Sequence, residues 1–388
     1  MSPNNPAAVA TAAPWRPLLP VFVSCFAFGL QAGTGMPLVP LALEHRGVDN
    51  FVIGIVSAAW GVGMIATAHF IPAMAARLGA VRLISACVLL NAAISVVFAF
   101  TSDTALWFGL CVLSGVVGGV PWVVSEIWIN LVTDESRRGR AVAVYSTLVA
   151  LGLAVGPLVL QVAGVYGPRP FLVNAALGLL VILPLLPNWR LAPPIRPTGS
   201  GGFARVIALA PVALLAALAC GLGGQGAFSF LPIFAVGAGV APETGAMWLS
   251  AFVIGNLVLQ WPIGWMADHL DRRAVLAGCA LASAALTAAL PLIDATGPAV
   301  LGVLLLWGGV SFAIYSVGLA LLGQRFRGGD IARANAALTS VYTAGGMIGP
   351  PIAGTALDLV GRPGFGLSIA GFYLVAGVGA VLALRRRG

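Results

Sequence analysis

The sequence has no lysine and very little charge of either sign. Only 8% of its 388 residues are charged, against 60% that are hydrophobic. A soluble fold of this length needs a polar shell that such a composition does not supply. Nucleic acid is an unsuitable partner despite the net charge of +8. All twenty basic residues are arginines set between apolar runs, which reads as membrane orientation rather than a binding patch. Five cysteines (Cys25, Cys87, Cys111, Cys220, Cys279) lie far apart in apolar runs with no CxxC, so neither disulfides nor a metal site is expected. Three scattered histidines (His45, His69, His269) exclude an HExxH-type centre, and no catalytic cluster or cofactor motif is visible. Met64, His69 and Met74 attract attention as metal ligands, but steps of five turn about 140° on a helix and do not share a face.

What is present are long apolar runs. Backbone polar groups must be satisfied internally in lipid, so the chain folds as helices or as a closed barrel. Unbroken runs favour helices. Twelve spans are predicted at 18–43, 51–75, 81–100, 105–131, 141–164, 171–187, 206–236, 246–267, 274–293, 298–323, 335–359 and 366–384. With the N-terminus inside, 17 of the 20 arginines fall on inner segments, and only Arg46, Arg169 and Arg362 fall outside. This predicts a multi-pass protein of the bacterial inner membrane, both termini cytoplasmic. Residues 1–14 read as a disordered tail, 15–187 and 206–388 as two six-helix bundles, and 188–205, rich in Pro, Gly and Ser, as a cytoplasmic linker.

The halves repeat. Arg140, Gly152, Gly156 and Pro157 recur as Arg333, Gly345, Gly349 and Pro350, each offset by 193. Gly29 and Pro40 recur as Gly221 and Pro232, offset by 192. A constant offset near half the length indicates duplication. Small residues four apart admit a close neighbouring helix and proline bends it, so Gly152, Gly156, Pro157, Gly345, Gly349 and Pro350 are expected to pack and flex where helices cross.

Between spans 8 and 9 stands Gly264-Trp265-Met266-Ala267-Asp268-His269-Leu270-Asp271-Arg272-Arg273. It resembles the G-x-x-x-D-x-x-x-R-R signature of the major facilitator superfamily. The corresponding first-half loop keeps Arg77 and Arg82 but has Ala76 where that family carries aspartate. Ser125-Glu126-Ile127-Trp128 followed by Arg138-Gly139-Arg140-Ala141 is similar to the YcaD-like branch. The resemblance implies a monomeric secondary transporter working by alternating access. Gly264 would permit close packing. Asp268 would brace an inner gate near Arg138 and Arg140, and Arg77, Arg272 and Arg273 would hold the loops at the anionic surface.

A transporter of this design binds its solute near the midplane, between halves. The polar and aromatic residues near span centres are Gln31, Trp60, Gln225, Phe228, Asn256, Gln260, Trp307, Phe312 and Tyr342. Trp15, Trp189 and Trp248 near span ends are expected in an interfacial belt. Asp358 is placed at the membrane surface, and Glu126 about one turn inside span 4. Glu126 either exchanges a coupling proton or pairs with Arg77, Arg137, Arg138 or Arg140 at the inner gate. One acid among amides and aromatics suits a neutral, amphipathic or cationic organic solute, since a polyanion would want an intramembrane arginine. An uncoupled facilitator or exchanger is the alternative to a proton-coupled carrier, and a non-transporting receptor a more distant one.

Overall fold

The computed structural model describes residues 18–193, 209–326 and 329–385. The expectations for residues 1–14, and for most of the 188–205 linker, lie outside these. Among the described residues the regular structure is helical throughout. The first half comprises α1 (Leu19–Gly35), α2 (Leu38–His45), α3 (Asn50–Ala68), α4 (Ile71–Leu78), α5 (Ala80–Phe100), α6 (Thr104–Val132), α7 (Glu135–Ala163) and α8 (Pro168–Leu179), with a 3-10 turn at Leu186–Leu191. The second comprises α9 (Pro211–Val236), α10 (Pro242–His269), α11 (Arg272–Ala289), α12 (Ala299–Arg325), α13 (Gly329–Val360) and α14 (Arg362–Arg385).

Among the described residues ten spans are long and apolar enough to cross a membrane, with α1 and α2 counted as one. The other two crossings are α8, which has 12 residues and continues into turns, and α13, which is 32 residues long but interrupted by glycines, prolines and hydroxyl residues. Several boundaries differ from expectation for identifiable reasons. Span 2 breaks at His69–Phe70 because Pro72 opens a new helix, α4. Helix α7 starts at Glu135 rather than 141 and so carries Arg137, Arg138 and Arg140 in its first two turns.

The two halves pack alike. Helix α1 crosses α7, α3 crosses α6, and α5 lies on α8; in the second half α9 crosses α13, α10 crosses α12, and α11 lies on α14. The crossings repeat at the level of single atoms. A β-carbon on Gly115 would overlap the Trp60 carbonyl oxygen, and one on Gly308, 193 residues on, would overlap that of Phe252. Gly63 stands in the same relation to Val112 as Gly255 does to Leu305. The predicted packing glycines behave likewise. Gly152 and Gly156 of α7 lie against Phe26, Leu30 and Gly33, while Gly345 and Gly349 of α13 lie against Leu218 and Leu222. Backbones this close gain dispersion contacts that a side chain would abolish.

Twelve crossings bring both chain ends to one face, here the termini face. At the opposite, far face the halves are clamped together. Asp358 at the end of α13 accepts hydrogen bonds from the backbone N–H groups of Asn50 (3.2 Å) and Phe51 (2.9 Å) and from Asn50 Nδ2 (2.7 Å). Those N–H groups are the orphan donors at the start of α3, where Asp49 supplies no side-chain cap. Asp358 is therefore more than a surface acid: it caps a helix of the other half. A second tie runs from Gln161 Nε2 of α7 to the Glu243 carbonyl of α10 at 2.6 Å. Toward the termini face Thr339 and Ser340 of α13 and Arg138 and Arg140 of α7 are exposed.

Candidate solute cavity

A cavity of about 190 Å³ lies midway along the helices. Its walls come from α1, α2, α3, α5, α6 and α8 of the first half and from α9 of the second. Of the sequence-predicted residues it brings together Gln31, Trp60, Gln225 and Phe228. Gln31 is almost fully buried. The Trp60 backbone crosses Gly115 of α6 and its indole rests on Gly118, where a β-carbon would stand 3.3 Å from the ring nitrogen. Gln225 packs against Gly346 of α13, whose missing β-carbon would stand 2.8 Å from the glutamine chain.

The remaining five lie elsewhere. Trp307 is fully buried in an aromatic cluster, its ring 4.7 Å from Phe252. Phe312 joins that cluster 5.4 Å from Phe252. Phe228 connects it to the cavity, its ring 5.9 Å from Phe252. Tyr342 stacks edgewise on Tyr315 at 5.3 Å. Asn256 is half-buried and Gln260 exposed, one turn apart on α10. Trp248, expected at the interface, is instead 2% exposed and packs against Phe234, because its end of α10 is covered by α9.

Sequence reasoning missed Ser57, Asn91, Ser95, Ser114 and Asn174 on the cavity wall. The signal was available: Asn91 and Asn174 are single amides in apolar helices, where an amide needs a partner. Asn174 Nδ2 donates to Ser95 Oγ at 3.3 Å.

At the termini face the motif residues are tied within their own half. Asp268 pairs with Arg272 at 3.3 Å, and Arg272 also donates to the carbonyls of Ala267 (3.2 Å) and Ala320 (2.9 Å). Arg273 donates to the Ala383 carbonyl at 2.8 Å, joining α11 to α14. Arg77 is exposed. Gly264 faces open space, with nothing within 4 Å of a built β-carbon, so close packing is not what it provides. Glu126 is exposed on α6 and close enough to act electrostatically on Tyr145 of α7 and Tyr315 of α12. It therefore faces the space between halves rather than lipid. One turn earlier, Trp122 rests edgewise on Phe28 and Tyr145. All five cysteines are buried and free.

A family profile described as the Major Facilitator Superfamily matches residues 21–312 and, again, 213–388. The chain belongs to that superfamily. Its two overlapping matches are what a duplicated bundle produces. Among curated relatives, the uncharacterized MFS-type transporter YcaD of Salmonella newport is 24% identical over 342 residues, covering 87% of this chain and 88% of its own. Among solved structures, a mutant form of the nucleoside transporter NupG superposes with a TM-score of 0.80 at 15% identity, over 95% of this chain and 99% of that one. An inward-facing, unoccupied bacterial homolog of the lysosomal transporter Spinster gives a TM-score of 0.71 at 16% identity, over 96% and 94%. These likenesses establish the fold. The transporter is thus a multi-pass helical membrane protein and not an enzyme.

Proposed function

We propose that this transporter is a secondary active carrier that moves a small neutral, amphipathic or cationic organic solute across the inner membrane by alternating access, coupled to protons through Glu126. The observation that carries the reading is a mid-depth cavity whose apolar wall is set with amides and hydroxyls, between halves that are clamped together at the far face. A solute held there reaches one side at a time, and rocking the halves about their crossing helices exchanges the sides. The arginine asymmetry supports a cytoplasmic termini face and hence cytoplasmic termini and linker. Glu126, exposed near the termini-face end of α6, supports proton exchange with that compartment. The far-face orientation of Asp358 supports a latch rather than a binding role.

The test is solute flux in proteoliposomes with and without an imposed pH gradient. Uphill uptake driven by the gradient supports the carrier. Counterflow without any response to pH favours the uncoupled exchanger, a reading consistent with the exposed position of Glu126. Cysteine labelling of the linker from outside intact cells overturns the orientation.

A further inference from the structure

The polar groups of the cavity are shared unevenly between the halves. Gln31, Asn91, Ser95 and Asn174 come from α1, α5 and α8, whereas the second half contributes α9 alone. Asn174 is only 6% exposed. One end of its amide meets Ser95, while the other end has no partner. Gly35 stands opposite, and a β-carbon there would lie 3.0 Å from the amide. Leaving a buried amide half-satisfied is destabilising, and hydrocarbon offers it nothing in return. The side-chain amides of Gln31 and Asn91 make no hydrogen bond to the described residues either. Phe98 and Phe171, stacked at 5.8 Å, add an apolar wall. No charged side chain lines the cavity.

We infer that α1, α5 and α8 build a solute subsite within the first half that takes an uncharged group able to donate and accept hydrogen bonds, such as a carboxamide, lactam or hydroxyl. Gln31 and Asn91 offer their amides to the solute, the buried Asn174 oxygen adds an acceptor that its own half leaves open and that becomes reachable as the solute seats, and the stacked aromatics take the solute's apolar side. An ionised group would enter with no counter-charge, at a cost the amides alone do not offset. The inference rests on the transporter reading and narrows it: the part of the solute seated here is neutral, and any cationic part points toward Glu126.

The test uses the full-length protein in proteoliposomes. Asn174→Cys is treated with propyl methanethiosulfonate and with its trimethylammonium-ethyl and sulfonatoethyl counterparts, and peptide mass spectrometry locates the mixed disulfide. The neutral reagent should modify position 174 at least about tenfold faster than either charged one, the scale of a modest charge-burial penalty. Equal modification by a charged reagent, or no modification by any, overturns the subsite. Asn174→Leu separates a solute contact from a structural one. It should keep or raise the Tm, because an unpaired amide is replaced by a shape of similar volume. It should also cut uptake of uncharged probes (uracil, nicotinamide, inositol) by about tenfold where wild type carries them. A fall in Tm with uptake unchanged would show that Asn174 only holds α8 in place, and would sink the inference. If wild type carries none of the probes, nor choline or benzoate, the transport reading fails for these compounds, while the reagent arm still decides the subsite.

Discussion

In the first half the chain turns from α4 into α5 through Gly79, whose φ of +82° makes the turn with backbone alone. In the second half the equivalent position, 192 residues on, is Asp271. Its carboxylate caps α11 by accepting from the N–H groups of Arg273 (2.7 Å) and Ala274 (3.4 Å). Around Gly79 stand Ala76, Ala80 and Val81; around Asp271 stand Asp268, Arg272 and Arg273. The same corner of the same fold thus has no carboxylate in one half, where Arg77 and Arg82 are its charges, and a carboxylate–arginine cluster in the other. Since the first-half loop folds without one, the cluster is not there to make the turn. It ties α11 to α10, α12 and α14, so that the termini-face end of the second half moves as one piece. Where the first half needs holding, it is held at the far face by an acid from its partner, Asp358.

The largest way to break what the halves share is to fill a crossing. Gly255→Leu would drive a side chain into the Leu305 backbone and should cost more than about 3 kcal/mol, read as loss of folded, monodisperse protein. Gly302→Ala on α12, with nothing within 4 Å, should leave the Tm unchanged or slightly raised. Next comes Glu126. Under proton coupling, Glu126→Gln abolishes uphill, pH-driven uptake but keeps exchange. Under an ion pair with Arg77, Arg137, Arg138 or Arg140 it loses both, and replacing that arginine reproduces the loss. Normal uphill transport in the mutant removes both ideas.

Asp268→Asn probes the charged corner directly. Flux should fall about tenfold, the scale of a typical conformational coupling, with expression and folding intact; wild-type flux would show that the charges are ornamental to gating. At the far face, Asp358→Ala removes three hydrogen bonds across the halves. The group is exposed, so the clamp should weaken by only about 1 kcal/mol, or about fivefold in the balance of states. Inter-half distance distributions by spin-label pairs across the far face would reveal it, and an unchanged distribution would deny Asp358 a latching role.

The smallest effect belongs to the loop between α11 and α12. The N–H and hydroxyl of Thr296, with the N–H of Gly297, hold the Asp294 carboxyl below the usual carboxylate range. A depressed folded-state pKa contributes stability above the unfolded value of about 3.9, which is lost as pH falls through the folded one. Thr296→Val should therefore move the Asp294 titration upward by NMR and leave transport untouched.

The fold was legible because its signals are physical and long-range: apolar runs set the crossings and a constant offset the duplication. Gly152 and Gly349 were readable as packing residues because GxxxG spacing has one mechanical use. The cavity was only half legible. Gln31 and Gln225 announced themselves as central amides, but Asn174 lies in a short helix whose centre is not that of the predicted span, and so was passed over. Trp307 and Trp248 misled for the opposite reason. An aromatic near a span's centre or end reads as wall or belt, yet which side of its helix meets a neighbour is decided by crossings that composition does not reveal.

One pair of residues carries the contrast furthest. Where α1 meets α7, Gly33 lies against Leu153; at the same level of the other half, Gln225 lies against Gly346. The contact has changed character: backbone meets glycine in one half, and an amide side chain lies over glycine in the other. A duplication left untouched would present a solute with two like walls, and turning the solute end for end would cost nothing. Exchanging one glycine for an amide, and clearing its place with another glycine, abolishes that indifference. The two halves therefore face the middle of the molecule with unlike walls at this level, and one is not a copy of the other.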